Sequence, residues 1–156
     1  ELVNKRFNHS MAWGIIGEDL PEESNEVILD TDLVDSDGIP APKLNYKVSD
    51  NSRKMLEFHV ARLLEAVEAA GAIDTSVVHQ VPDTGWHLLG TTKMGKDKDS
   101  SVVDEWGRSH DVQNLYIFDA STFPTSGGVN PTATIMSVSH RQTMKLISDR
   151  YNLGVS

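Results

Sequence analysis

The stretch that decides the fold is Asp119-Ala120-Ser121-Thr122-Phe123-Pro124-Thr125-Ser126-Gly127-Gly128-Val129-Asn130-Pro131-Thr132. It lies between a short apolar run, residues 115–118, and a longer run with apolar residues at helical spacing. Asn130 is a favourable N-cap residue, and Pro131 suits the first position of a helix. A helix that begins here presents free N–H groups and partial positive charge, which favour an anionic ligand. The stretch therefore predicts a ligand-facing helix from residue 131 to about residue 149.

A second stretch, bounded by glycines, carries a histidine. It reads Gly85-Trp86-His87-Leu88-Leu89-Gly90-Thr91-Thr92-Lys93-Met94-Gly95. Because glycine has no side chain, the backbone there can approach a ligand closely. Histidine titrates nearest to neutral pH, so an imidazole can take the proton of an alcohol. A histidine base together with a helix start that holds negative charge is what hydride removal from an alcohol onto a flavin needs.

The two stretches resemble the C-terminal signature of the glucose–methanol–choline (GMC) family of flavin oxidoreductases. The resemblance runs from His87 to about Ile147, and it includes residues 101–104, Gly107-Arg108 and residues 114–121. It implies an FAD-dependent oxidoreductase that acts on a CH–OH group of an alcohol, sugar or polyol and transfers a hydride to the flavin. Within the family, the segments look closest to the sugar and polyol branch.

The resemblance assigns the catalytic roles to two residues. It implies that His87 is the general base and that Asn130 faces the substrate hydroxyl. Each residue also has a simpler interpretation. His87 could be a buried, hydrogen-bonded histidine beside Trp86, and Asn130 could act as a helix cap, alone or in addition to its catalytic role.

The resemblance also implies four positions that contact the cofactor. Asp119 and Ala120 are expected beside the ribityl-phosphate part of FAD, although Asp119 is also an ordinary turn residue. The backbone of Pro131 and Thr132 is expected beside the flavin N1–C2=O edge. There the helix dipole would stabilise negative charge by roughly 0.3–1 kcal/mol.

Composition excludes several other functions. The chain has 156 residues, a formal net charge of −9 and no basic cluster, which argues against a nucleic acid or anionic membrane partner. No apolar run approaches the length of a membrane span. Cysteine is absent and the six histidines lack His-x-x-x-His spacing, so no metal site is expected. We expect a soluble protein, and the sequence leaves the choice between cytoplasm and periplasm open.

The hydrophobic pattern predicts an α+β fold with an antiparallel sheet and packed helices. Apolar residues at helical spacing predict a helix over residues 51–70, which Asp50 begins and Gly71 ends. Pro40 and Pro42 exclude helix around them and suggest an extended edge. Residues 30–37 are expected to form an acidic loop. The remaining strands are predicted at residues 11–17, 27–29, 43–48, 77–81, 102–104 and 112–118.

A dinucleotide-binding glycine motif, Gly-x-Gly-x-x-Gly after a strand, is missing from this sequence. GMC enzymes carry that motif near their own N-terminus, in a chain several times longer. We therefore expect a C-terminal piece whose partner is the N-terminal FAD-binding part. Residues 1–114 would be a partial substrate-binding domain, and residues 115–156 would be the last strand and helix of the FAD-binding domain. Alone, the piece is expected to lack FAD, to be inactive and to self-associate.

Two other functions remain open at this point. One is a member of the same fold that resembles a hydroxynitrile lyase and catalyses no net redox reaction. The other is a flavin-free remnant that only binds carbohydrate. The sequence leaves open the substrate and the electron acceptor, which could be oxygen, a quinone or a cytochrome.

Overall fold

The computed structural model describes residues 2–79, 85–127 and 130–152. Within these residues lie helix α1 (Leu2–Arg6), strands β1 (Glu26–Val34) and β2 (Pro40–Asn45), helix α2 (Asp50–Ala69), a 3-10 turn (Ala120–Thr122) and helix α3 (Thr132–Asn152). Strands β1 and β2 form an antiparallel two-stranded sheet. The predicted α+β class, with an antiparallel sheet and helices, is confirmed. Helix α1 has no counterpart among the predicted elements.

Strands β1 and β2 form a hairpin that pairs apolar residues on one of its faces. Val27 lies opposite Leu44, and Leu29 lies opposite Pro42. Because residues that face each other across a ladder share one side of the sheet, these four side chains form one apolar surface. Pro40 begins β2, and a proline is tolerated there because an edge strand does not need every N–H group. The extended edge that the prolines suggest is confirmed.

Strand β1 continues through residues that the sequence predicts as an acidic loop. The Asp30 carboxylate accepts hydrogen bonds from the backbone N–H groups of Asp32 at 2.8 Å and Leu33 at 3.0 Å. These two hydrogen bonds lie between Leu29 and Val34, where the pairing of β1 with β2 shifts its register. They stabilise the irregularity, so that β1 continues through it as one strand. Both hydrogen bonds lower the pKa of Asp30, because they stabilise its charged form. The loop is therefore confined to residues 35–39, and the prediction for residues 30–34 is wrong.

Helix α2 confirms the helix that apolar spacing predicts over residues 51–70, but its N-cap lies one residue earlier than predicted. Ser49 is the N-cap, with its Oγ accepting from the Ser52 N–H at 3.1 Å. Asp50 lies in the first turn, where a carboxylate is favourable because it faces the positive end of the helix dipole. Gly71 follows the helix with φ +89°, and its N–H donates to the Glu68 carbonyl. This is the left-handed residue that commonly ends a helix.

Several predicted strands are not strands. Residues 11–17, 46–48 and 77–79 have no regular structure, and residues 80 and 81 lie outside the described residues. The predicted strands at 102–104 and 112–118 are reduced to isolated bridges, which pair Met94 with Val103, Val103 with Ser109, and Arg108 with Tyr116. Each pairing is limited to one residue pair, because turns and bends of the chain separate one bridge from the next. In place of a sheet, residues 85–127 form a compact set of linked turns.

The centre of these linked turns is Val103, which is completely buried. Its carbonyl accepts the Gly95 N–H at 2.9 Å. Gly107 closes the next turn with φ +75°, a conformation that glycine adopts without steric cost. A Cβ atom at Gly107 would lie 2.6 Å from the Ile117 carbonyl oxygen and 2.8 Å from the Phe118 ring. This position therefore requires glycine for its backbone angle and for the close approach of two neighbours.

Helix α3 is attached to the linked turns by polar contacts and by one stacked pair. The Ser139 hydroxyl donates to the Phe118 carbonyl at 2.8 Å. The Arg141 guanidinium lies 3.9 Å from the centre of the Trp106 ring, in a cation–π contact. These contacts hold α3 against the linked turns.

Candidate active site

The two stretches singled out in the sequence lie against each other. Residues 85–95 are here called the His87 loop, and residues 119–123 the Asp119 turn. Three backbone N–H groups of the loop donate to carbonyls of the turn: Gly90 to Ala120 at 3.4 Å, Thr92 to Ser121 at 2.9 Å, and Met94 to Thr122 at 2.7 Å. These three hydrogen bonds, from every second residue of the loop, hold the loop alongside the turn.

The Asp119 turn is built by its own polar side chains. The Asp119 carboxylate caps the 3-10 turn by accepting the Ser121 N–H at 2.8 Å, and it also accepts the Ser121 hydroxyl. The hydroxyl of Thr122, which is completely buried, donates to the Asp119 carbonyl at 2.9 Å. Asp119 itself is exposed and Ala120 is half-buried. The turn thus presents a carboxylate at the surface on a rigid base.

Two residues that contribute to this site, Thr92 and Ser121, are not among the site residues that the sequence predicts. Their hydroxyl oxygens lie 2.5 Å apart, although the residues are distant in the chain. The Asp-x-Ser spacing of Asp119 and Ser121 is a local signal, because an aspartate often accepts a hydrogen bond from the backbone two residues later. No comparable signal in the sequence marks Thr92.

His87 lies on the exposed part of its loop. Its φ is +58°, a left-handed value that is uncommon for any residue other than glycine. The side chain is exposed and makes no hydrogen bond to another described residue. The interpretation of His87 as a buried structural histidine is therefore wrong. A second histidine, His110, is the structural one: its Nε2 lies 3.0 Å from Ser101 Oγ and 3.2 Å from the Gly95 carbonyl.

The start of α3 lies one residue later than predicted. The first helical hydrogen bond runs from the Ile135 N–H to the Pro131 carbonyl at 2.8 Å, so Pro131 is in the cap position. Pro131 is buried, whereas Asn130 and Thr132 are exposed. The Asn130 side chain forms no hydrogen bond with residues that the structure describes, and residues 128 and 129 lie outside them. Asn130 is therefore not the N-cap of this helix.

His87 and Asn130 are not joined to each other by a hydrogen bond. Two cavities of the described chain lie elsewhere, one of about 110 Å³ between α3 and Trp106 and one of about 140 Å³ beside Tyr46. Neither cavity is lined by His87, Asp119 or Asn130. The side chains of all three of these residues are exposed.

In residues 2–79, 85–127 and 130–152, no group of three or more histidine, aspartate or glutamate side chains is placed to hold a metal ion. No helix among those residues is long and apolar enough to cross a bilayer.

Comparison with known protein families identifies the family of this chain. A family model described as GMC oxidoreductase matches residues 21–139. The chain belongs to the GMC oxidoreductase family. The match includes the His87 loop, the Asp119 turn and the first part of α3.

Individual relatives agree with this assignment. The chain is 40% identical, over 90% of its length, to a 2-methyl-1,2-propanediol dehydrogenase from Mycolicibacterium austroafricanum, of which it covers 26%. It is 32% identical, over 96% of its length, to the fructose dehydrogenase large subunit from Gluconobacter japonicus, of which it covers 27%. The chain therefore spans about a quarter of the length of these curated relatives.

A solved structure supports the fold. Pyridoxine 4-oxidase from Mesorbium loti matches 81% of this chain with a TM-score of 0.53 and 20% sequence identity. The chain covers 28% of that protein. At this identity, the comparison supports the shared fold.

Proposed function

We propose that this chain is the C-terminal part of an FAD-dependent oxidoreductase that oxidises a CH–OH group of an alcohol, sugar or polyol. The observation that carries the proposal is the contact between the His87 loop and the Asp119 turn through three backbone hydrogen bonds. This contact puts a loop with an exposed imidazole beside an exposed carboxylate, so that both can face one bound ligand. Family membership and the names of the relatives, a propanediol dehydrogenase and a fructose dehydrogenase, support the substrate class.

The residues of this chain fit one side of such a cofactor. FAD, when bound, supplies the acceptor for the hydride of the substrate. The exposed Asp119 carboxylate can accept hydrogen bonds from ribityl hydroxyls, with the backbone of Ala120 beside it. The first turn of α3 begins at Thr132, and its N–H groups have no intrahelical partners, so they suit an electron-rich ring edge. Pro131, which has no N–H group, lies directly before this turn.

His87 and Asn130 would act on the substrate. We propose that the His87 imidazole takes the proton of the substrate hydroxyl as the hydride leaves the carbon. The Asn130 amide would donate a hydrogen bond to the same oxygen and hold it in place. Both side chains are exposed in this chain, so both are accessible to a ligand.

We also propose the division into two parts. Residues 1–114 would belong to the substrate-binding domain, and residues 115–156 to the FAD-binding domain. The hydrogen bond from Ser139 to the Phe118 carbonyl supports the second unit, because it ties α3 to the segment 115–118. The remaining FAD-binding part, with its glycine-rich motif, would come from the N-terminal region of the complete protein.

The experiment that tests the function uses the complete protein that contains this chain. The purified flavoprotein is mixed anaerobically with short-chain diols, hexoses and aldonic acids, and the loss of oxidised-flavin absorbance is recorded. Reduction by at least one class of CH–OH substrate is the expected result. A protein that binds FAD but releases a carbonyl compound and cyanide from a cyanohydrin, without flavin reduction, would instead be a lyase. Carbohydrate binding without any flavin would identify a binding remnant.

The same proposal predicts the behaviour of the isolated chain. It should not bind FAD tightly or oxidise alcohols, because Asp119 and α3 would contact the cofactor from one side only. It should also self-associate, because the apolar face of the hairpin is exposed, with Leu29 66% and Leu44 67% accessible. Titration of FAD fluorescence and light scattering after gel filtration measure the two properties. A stoichiometric complex of micromolar affinity would show that the rest of the protein is not needed.

A further inference from the structure

The hydroxyl groups of Thr92 and Ser121 form a directed chain that ends on Asp119. Ser121 has one hydroxyl proton, and it donates this proton to Asp119 Oδ1, which as a carboxylate oxygen can only accept. Ser121 Oγ also lies 2.5 Å from Thr92 Oγ1. Because the Ser121 proton is already used, Thr92 must be the donor in this second hydrogen bond. The order is therefore Thr92 to Ser121 to Asp119.

The chain of hydrogen bonds occupies only one oxygen of the carboxylate. Oδ1 accepts both the Ser121 N–H at 2.8 Å and the Ser121 hydroxyl. Oδ2 accepts no hydrogen bond from the residues that the structure describes, and Asp119 is exposed. One oxygen is thus held by the protein, while the other is presented at the surface.

We propose that Thr92 and Ser121 are positioning residues that fix the Asp119 carboxylate, so that its Oδ2 receives a hydroxyl of the cofactor in one orientation. The chain of hydrogen bonds from Thr92 through Ser121 to Asp119 is called the relay below. Since Thr92 belongs to the His87 loop, the relay also ties the orientation of the carboxylate to the loop that carries the base. The inference rests on the proposed function, because it requires a hydroxyl-bearing cofactor at Asp119.

The relay is separate from the backbone contact that holds the loop. The Thr92 N–H donates to the Ser121 carbonyl at 2.9 Å, and this hydrogen bond does not involve either hydroxyl. Thr92→Val keeps the backbone bonds and the branched shape of the side chain, and it removes only the donor. The variant therefore leaves the loop attached while Ser121 Oγ loses its partner. Thr92→Ser keeps the donor and removes a methyl group.

The test measures the dissociation constant of FAD from the complete protein, by reconstituting the apoprotein and following flavin fluorescence. Thr92→Val should weaken FAD binding by about 2- to 12-fold, the effect of one neutral hydrogen bond. Ser121→Ala removes a bond to a charged group and should weaken binding by roughly 10- to 100-fold. Thr92→Ser should stay within about twofold of the wild type, because one neutral hydrogen bond is kept. The double variant should bind no more weakly than Ser121→Ala, because the relay ends at that residue.

A control and a second readout separate the relay from general loss of structure. Thr31→Val removes an exposed hydroxyl on β1, away from the site, and should not change FAD affinity. Amide hydrogen exchange of the apoprotein should show faster exchange at the Ser121 N–H in Thr92→Val, with exchange at the Met94 N–H unchanged. Wild-type FAD affinity in Thr92→Val and Ser121→Ala, or a Thr92→Ser variant as weak as Thr92→Val, would overturn the inference. Those results would leave the proposed function intact, whereas a wild-type protein that binds no FAD would overturn both.

Discussion

The backbone N–H of Met94 donates a 2.7 Å hydrogen bond to the carbonyl of Thr122, a residue that is completely buried. This bond joins the His87 loop to the Asp119 turn at the buried residue of the turn. The Thr122 hydroxyl in turn donates to the Asp119 carbonyl, so the buried end of the contact supports its exposed end. The position of the two exposed side chains, His87 and Asp119, is thus set by backbone bonds rather than by direct contact between them.

The packing around Gly107 gives a prediction on stability. Gly107→Ala must hold a positive φ and place a methyl group 2.6 Å from the Ile117 carbonyl oxygen. Gly38→Ala is the matched control, because Gly38 has φ +80° but open space around a Cβ atom. We expect the control to lose about 1–2 kcal/mol of unfolding free energy. Gly107→Ala should lose a further 1–3 kcal/mol or more from overpacking, as measured by urea unfolding. Equal losses in the two variants would mean that the neighbours of Gly107 give way freely.

A tyrosine next to α2 gives a prediction on pH. Partial burial raises the pKa of Tyr46, a residue that is still 59% exposed, to about 12. The hydrogen bond from its hydroxyl to Asp19 and the negative charge of that residue act in the same direction. The folded chain therefore holds this proton more tightly than the unfolded chain, whose tyrosine has a pKa near 10.0. The resulting stability is fully present below about pH 10 and is lost as the pH rises towards about pH 12.

Tyr46→Phe should remove that part of the pH dependence. The variant should be less stable than the wild type near neutral pH, and the difference should shrink between about pH 10 and pH 12. Urea unfolding at several pH values measures this, with Tyr151→Phe as a control on an exposed tyrosine of α3. A wild type whose alkaline loss of stability matches that of Tyr46→Phe would contradict the assignment.

The sequence was sufficient to predict the long helices and the family, because these depend on local signals. Helix α2 follows from apolar residues at helical spacing, and its end follows from Gly71. The start of α3 is within one residue of its prediction, since a proline is suited to a helix start. The hairpin could be predicted in part, because its alternation and prolines are also local.

The linked turns could not be predicted, because their partners are distant in the chain. Val103 pairs with Met94 on one side and with Ser109 on the other, and each pairing lasts one residue pair. The apolar pattern of residues 102–104 predicts a strand, but it does not indicate how many of these residues pair with a neighbouring segment. The same reason hides the contact of Thr92 with Ser121, which exists only once the loop lies on the turn.

The proposed role of His87 predicts the behaviour of two substitutions in the complete protein. His87→Ala and His87→Asn should each lower the rate of flavin reduction by about 10²–10⁴-fold, with little change in flavin content. The asparagine variant is needed because His87 has φ +58°, a value that asparagine tolerates well and alanine does not. His9→Ala, on an exposed residue away from the loop, should keep the wild-type rate. A nearly normal rate in His87→Asn, with loss only in His87→Ala, would assign the residue a backbone role and remove it from the chemistry.

The last prediction concerns Asn130, whose capping role the structure does not support. If the Asn130 amide donates a hydrogen bond to the substrate oxygen, a histidine in its place can still donate one, whereas an aspartate cannot. Aspartate also adds negative charge at the start of α3, where the proposed chemistry needs positive potential. The same charge is favourable to the helix itself, so Asn130→Asp should fold at least as well as the wild type. Flavin reduction should therefore be slower in Asn130→Asp than in Asn130→His, while thermal unfolding ranks the aspartate variant equal or higher. Equal reduction rates in the two variants would show that Asn130 does not contact the substrate oxygen, and a lower stability of Asn130→Asp would point to a structural role instead.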